Sequence, residues 1–254
     1  MLAEERRAIL HNKLREDGYV QVTELADELG ISSATIRRDL ITLEKEGVCI
    51  RKRGGAVRTA HGVTIELPYE IKRRRNTDEK NHIAIAALEF VENGDTILLD
   101  AGSTTYALAQ LLHSRERITV VTNDLNIAMK LASIPSINLI CTGGIARQNV
   151  YTLEGSQVTD FIRNLRVDKS FIGADAIHPD GVIANVNIEE VPIKQAMINA
   201  ADKVILLTDS SKFGTTGFAK VCDIIDCDLI ITDHGLAENY RQFIEKKGVS
   251  LVIS

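Results

Sequence analysis

The chain has 254 residues, 44% hydrophobic and 26% charged, with a formal net charge of −5. This composition suits a globular protein with a substantial apolar core and excludes disordered, collagen-like and mucin-like sequence. There is no run of eighteen apolar residues, and the opening MLAEERRAIL mixes acids and bases where a secretory signal needs an unbroken apolar stretch, so a cytoplasmic protein with no membrane partner is expected.

The four cysteines, Cys49, Cys141, Cys222 and Cys227, form no CxxC pair, and none of the six histidines completes an HxxxH or HExxH pattern. They read as reduced packing residues, and neither a metal nor a cofactor is expected. Charge is unevenly spread: residues 1–75 carry a net +3 and the remainder −8. A polyanion would therefore prefer the first part. Tryptophan is absent and Tyr19 is the only aromatic before Tyr69, so this part lacks the stacking platforms used on single strands, and double-stranded DNA is the expected partner.

In chain order, helical periodicity dominates residues 3–46. Ile9, Leu10 and Leu14 form one apolar stripe. Thr23 is predicted to cap a short helix carrying Leu25, Ala26 and Leu29, which Gly30 closes. Ser32 and Ser33 can cap the next, in which Ile36, Leu40 and Leu43 recur at spacings of four and three until Gly47. Two helices joined through GIS make a helix-turn-helix. VCIRKRGGAV then reads as a hairpin turning at Gly54 and Gly55, with Arg51, Lys52 and Arg53 just before the turn: a wing. Residues 58–75 lack sustained periodicity and contain Pro68 and the run Lys72, Arg73, Arg74, Arg75. They are predicted to be a linker whose basic run is either solvated or in contact with a DNA backbone.

From residue 78 helices alternate with the β-branched runs TILLD, ITVVT, INLICT, KSFIGAD, KVILLTD, LIITD and VSLVI. Amphipathic stretches lie at 104–112, 124–132 and 236–246. Apolar strands with intervening helices predict a mainly parallel sheet covered on both faces. The expected architecture is an N-terminal winged helix-turn-helix (1–57), a linker (58–75) and a Rossmann-like α/β effector-binding and oligomerisation domain (76–254).

A recognition helix buries one face and offers the other to base edges. Placed at helical steps from Ile36, Leu40 and Leu43 fall within about 40° of it, whereas Ala34, Arg38, Ile41 and Lys45 fall opposite, flanked by Thr35, Arg37 and Thr42. The N-terminal turns of such helices approach the bases, which singles out Ala34, Thr35, Arg37 and Arg38, with Ser33 as a cap that also meets phosphate. Arginine can fork onto guanine, and alanine or threonine methyls can touch thymine. Any basic amphipathic helix shows cations opposite its apolar stripe; the order of helix, glycine turn, capped helix and the Arg51, Lys52, Arg53 wing is what favours DNA.

The segment from RRAIL to LEKEG, and SSATIRRDLITLEKEG above all, resembles the winged helix-turn-helix of DeoR-family bacterial sugar-operon repressors, and RKRGGAV continues the likeness. LDAGSTT, VVTND, TGG, LEG, FIGAD and TDSSKFG resemble that family's sensor domain, so the resemblance covers nearly the whole chain. It implies repression of a carbohydrate operon, relieved by an effector.

The strand ends independently point to a ligand. Asp100, Gly102, Ser103, Thr104 and Thr105 follow the first; Asn123 and Asp124 the second; Gly143 and Gly144 the third. Gly173 and Asp175, and then Asp209 and Lys212, follow later ones. In a parallel sheet these ends share one edge, where ligands bind. AGSTT joins a strand to a helix, so its N–H groups and hydroxyls can meet a phosphate, although small residues also permit a tight turn. Lys212 and Lys194 can supply countercharge, unless Lys194 is an ordinary helix-surface lysine. Asp100, Asn123, Glu154, Asp175 and Asp209 can orient sugar hydroxyls or serve as caps and turn formers, with Glu189 a weaker candidate.

The family's sensor domain resembles ribose-5-phosphate isomerase, whose phosphate and sugar loops GSTT, GAD and DSSK are similar to. The isomerase pattern continues GAD with an acidic residue where this chain has Ala176, and no glutamate is placed to move a proton between adjacent carbons. No catalysis is therefore expected, and the partners are operator DNA, a phosphorylated sugar or sugar derivative, and further copies of the chain in a dimer or tetramer. Two competing readings are an aldose-ketose phosphate isomerase with a DNA-binding appendage, and a DNA-binding module whose second domain serves only oligomerisation.

Overall fold

The computed structural model describes residues 2–46, 48–58, 69–148 and 150–254. The chain divides into two compact units, Met1–Leu67 and Pro68–Ser254.

In the first unit, helix α1 (Ala3–Asp17) ends at Gly18, strand β1 (Tyr19–Gln21) follows, and helices α2 (Val22–Leu29) and α3 (Ser33–Lys45) lead into the hairpin β2 (Cys49–Lys52) and β3 (Gly55–Arg58). Leu10, Leu14, Leu25, Ile36, Leu40 and Leu43 bury the facing stripes of the three helices in one core. Gly30 closes α2 in the left-handed region at φ 62°, and the Ser32 side chain caps α3 by accepting from Thr35 N at 3.2 Å. Helix α2 begins before Thr23, with Gln21 at the cap position, because Gln21 ends the short strand β1. That strand was not expected. It pairs antiparallel with β3, making a three-stranded sheet, and an added Cβ at Gly55 would lie 2.1 Å from Val20 O. The expected helix end at Gly47 lies outside the described residues; the last described turn is capped at Glu46.

Most of the expected linker, including Pro68, also lies outside the described residues. Its final part is helical: α4 (Tyr69–Arg74) belongs to the second unit. Six residues are too few for sequence periodicity to register, and such a helix needs tertiary contacts to persist.

The second unit continues through α5 (Thr77–Leu88), β4 (Thr96–Leu99), α6 (Ser103–Leu111), β5 (Ile118–Thr122), α7 (Leu125–Leu131) and β6 (Ile137–Cys141). A small hairpin, β7 (Ile145–Ala146) and β8 (Leu153–Glu154), precedes α8 (Ser156–Arg163) and β9 (Val167–Ile172). Then come β10 (Ala176–Ile177), β11 (Val182–Asn185), α9 (Val191–Ala200), β12 (Ala201–Leu207), β13 (Ala219–Asp223), β14 (Leu229–Thr232), α10 (Glu238–Lys246) and β15 (Ser250–Ile253). The main sheet has the order β15-β14-β12-β9-β4-β5-β6, and every neighbouring pair is parallel. All seven apolar runs read from the sequence are its strands, and buried clusters cover both faces, as the α/β expectation requires. The antiparallel sheet β10-β11-β13 was not foreseen, because its strands are short and their polar positions break the pattern.

Three cysteines are buried and all four are free; Cys141, by contrast, is exposed at the end of edge strand β6 and is not a packing residue. No helix among the described residues is long and apolar enough to cross a membrane.

Candidate functional site

In α3 the pattern follows the helical arithmetic. Ile36, Leu40 and Leu43 are buried; Ala34, Arg37, Arg38 and Lys45 are exposed, while Ser33, Thr35 and Ile41 are half-buried. The side chains of Arg37 and Arg38 make no ion pair or hydrogen bond among the described residues, so both guanidinium forks are available. On the wing, Lys52 and Arg53 are likewise exposed beside the turn, where Gly54 takes φ 89°. Arg51 differs. Its Nε donates to Glu44 Oε2 at 2.7 Å and its backbone N to Glu44 Oε1 at 2.8 Å, which lowers the Glu44 pKa and ties the wing to α3. Two residues that sequence reasoning passed over fix the angle of the recognition helix: Asp39, buried on α3, accepts from Arg6 Nε and, at 3.0 Å, from Arg6 Nη2 on α1. An aspartate next to exposed arginines carries no sequence signal of a buried bidentate pair.

In the second unit the chain winds outward from β4 in both directions, through β5 and β6 on one side and β9, β12, β14 and β15 on the other, so the topological switch lies between β4 and β9. There, Asp100 is buried at the end of β4. Its Oδ2 accepts from Gly173 N at 2.9 Å and pairs with the Lys194 ammonium, which also donates to Gly173 O at 3.0 Å. The two side chains are 4% and 3% exposed, so Lys194 is a core ion rather than a helix-surface lysine, and its charge is already engaged. Burial opposes that charge, but Asp100 and Glu190 outweigh it and raise the pKa above the usual lysine value.

Around this pair the other expected residues gather unequally. Gly102 N donates to Asp124 Oδ2 at 3.2 Å, Thr105 is buried and bonds Gly102 O at 2.9 Å, and Ser103 and Thr104 are half-buried at the first turn of α6. Asn123 is buried, with Nδ2 held by Leu153 O at 3.3 Å and Oδ1 without a partner among the described residues. Asp175 accepts from Lys72 at 3.0 Å and from Val186 N at 3.2 Å; burial disfavours its charge, but Lys72 and Lys212 outweigh this and hold the carboxyl at about 2. Asp209 is buried and accepts from Asn76 at 2.8 Å. Lys212 is half-buried, and its ammonium makes no hydrogen bond among the described residues.

Glu154 accepts from Asn187 at 3.3 Å and lies 3.5 Å from Arg147, which reaches Glu190 at 2.7 Å; the neighbouring Glu189 is exposed. Gly143 and Gly144 sit in the exposed turn after β6. A Cβ at Gly144 would lie 2.5 Å from Val158 Cγ2 and 2.9 Å from Glu154 O, so that glycine permits the β7–β8 hairpin to close on α8. Residues not anticipated as site members also converge here, Lys72, Asn76, Arg147, Asn185 and Glu190, beside Asp124, which the strand-end pattern had already named. Asp124 caps α7 by accepting from Asn126 N at 2.7 Å and Ile127 N at 3.0 Å, and burial lifts its carboxyl to about 6 despite those bonds. Asp124 alone of these six carried a sequence signal, as a strand-end acid directly before an apolar helix.

Residues 6–61 match the DeoR-like helix-turn-helix domain and residues 75–234 the DeoR C terminal sensor domain. The chain belongs to the DeoR family. Among DeoR-type relatives, it is 33% identical to a putative aga operon transcriptional repressor of Escherichia coli O157:H7, over 98% of this chain and 93% of that protein. It is 32% identical to the glycerol-3-phosphate regulon repressor of Escherichia coli K12, over 87% and 86% of the two chains. Among solved structures, ribose 5-phosphate isomerase A from Methanocaldococcus jannaschii aligns over 54% of this chain and 55% of its own, at 20% identity and a TM-score of 0.41.

Proposed function

We propose that this DeoR-family chain is a sequence-specific repressor of a carbohydrate operon, released from double-stranded operator DNA by a phosphorylated sugar or sugar derivative. The DNA half rests on one observation: α3 buries Ile36, Asp39, Leu40 and Leu43 while Arg37 and Arg38 stay exposed and unpaired, in a winged unit whose Lys52 and Arg53 are also free. Arg37 or Arg38 reads a base edge with Ala34 and Thr35 beside it, and Ser33, Lys52 and Arg53 meet phosphates. Arg51 acts chiefly by fixing the wing on Glu44. One winged helix offers too little surface for tight specific binding, so the active species is a dimer or tetramer.

The effector binds at the sheet edge around the β4–β9 switch. Lys212, whose ammonium makes no hydrogen bond among the described residues, supplies a cation, and Ser103 and Thr104 supply hydroxyls and N–H groups for a phosphate, the Gly102 N–H and the Thr105 hydroxyl being already bonded within the site. The buried acceptors Asn123 Oδ1 and Asn185 Oδ1 lack partners among the described residues, which suits a hydroxyl-rich ligand. Asp100 and Lys194 hold the floor of this crevice, and Asp175, Asp209 and Glu154 orient hydroxyls. An isomerase reading would need an acid after GAD, where the buried Ala176 offers only a methyl group.

A thermal-shift screen of sugar phosphates, followed by titration of the DNA flanking the chain's own gene with any ligand found, tests the proposal. A ligand that raises the melting temperature and weakens operator binding is expected. A chain with no preference for that DNA over random duplex at low salt refutes it.

A further inference from the structure

Helix α4 engages the crevice at several points. Lys72 donates to Asp175 at 3.0 Å, and Asn76, which joins α4 to α5, donates to Asp209 at 2.8 Å and to Ser211 Oγ at 3.1 Å. Tyr69, the first residue of α4, packs edge-on against Tyr106 of α6 and against Tyr151, with ring centroids 6.2 and 5.7 Å apart. Lys80 of α5, itself buried, donates to the carbonyls of Lys72 and Arg75 and so closes the C-terminal end of α4. The turn between the two helices places Asn76 in the left-handed region at φ 49°, where its amide faces Asp209. A six-residue helix has negligible stability alone, so these contacts set the position of α4.

The two carboxylates that hold α4, Asp175 and Asp209, are also the groups assigned to the effector's hydroxyls. In sequence, ten residues (59–68) separate α4 from β3 of the wing. We propose that α4 is a strap that competes with the effector for Asp175 and Asp209, and that its displacement carries crevice occupancy to the operator-binding unit. The inference rests on the repressor reading above and names the element that transmits the signal. Ligand and strap share partners, so binding of one costs the other; this supplies the differential contact that any population shift requires.

The test needs no ligand, because breaking the latch imitates one. The unmodified full-length chain and the variants K72M, D175N and K72R are titrated by fluorescence anisotropy against a duplex from the DNA flanking the chain's own gene, at fixed salt. K72M and D175N should each bind at least about fivefold more weakly, the low end of the 5- to 150-fold range of allosteric couplings, while K72R should stay within about twofold of the unmodified chain. D175N keeps the lysine's charge, so weaker binding there is not the loss of a phosphate contact. If K72M misfolds, as its circular dichroism would reveal, D175N still decides; if D175N misfolds, N76A, which removes the contacts to Asp209 and Ser211 without changing charge, takes its place and should weaken binding likewise. Unchanged or tighter binding by a folded K72M or D175N, or a loss that K72R shares in full, overturns the strap while leaving the repressor reading intact. Absence of operator preference in the unmodified chain overturns both.

Discussion

Replacing Lys194 with methionine should destabilise the sensor unit sharply. The substitution leaves the Asp100 carboxylate buried with one remaining hydrogen bond among the described residues, from Gly173 N at 2.9 Å, and without its ion-pair partner. Stranding one half of a buried ion pair costs about 3–5 kcal/mol. In a unit of this size each kcal/mol moves the melting temperature by roughly 2–4 °C, so a fall of ~6–20 °C is expected. Adding Asp100→Asn removes the stranded charge yet keeps an acceptor for Gly173 N, and the double variant should recover at least about half of that loss. Differential scanning calorimetry of the three full-length chains measures both effects. A fall below about 2 °C in the single variant, or a double variant no more stable than K194M, would refute the assignment of this pair as a buried structural ion pair at the switch point.

Arg38→Ala should lower operator affinity by about 1–3 kcal/mol if the fork reads guanine, while the sensor's melting temperature stays unchanged; equal affinity for operator in both chains would remove Arg38 from the interface. Lys212→Met should abolish the thermal shift given by any phosphorylated ligand found in the screen and leave ligand-free operator binding intact, whereas an undiminished shift would show that the anion lies elsewhere. Asp124 titrates in the folded state at about 6 against an ordinary 3.8, so stability from its neutral form is complete below about pH 4 and is lost as pH rises through 6. The melting temperature of the unmodified chain relative to D124N should therefore decline between pH 4 and 7; a constant difference contradicts the burial argument.

The sequence alone determined the features that repeat along the chain. Apolar spacing set the buried face of α3, and seven β-branched runs set the seven strands, because each pattern needs only the local period and the solvent to declare itself. Strand-end chemistry likewise placed Asp100, Asn123, Asp175 and Asp209 along one edge of the sheet, since parallel strands must bring their carboxyl ends together. Tertiary structure decided which charges are free. Lys194 could pass in the sequence for a helix-surface lysine, yet it is locked to Asp100 in the core, while the ammonium of Lys212 at its strand end makes no hydrogen bond among the described residues. Arg51 sits among three wing cations and is the one taken by Glu44. Lys72, read as part of a linker, meets Asp175 across 103 positions of chain. Ion pairing between residues distant in sequence leaves no periodic trace, because it depends on distance and burial after folding, and so the partners of these charges emerged only from the fold.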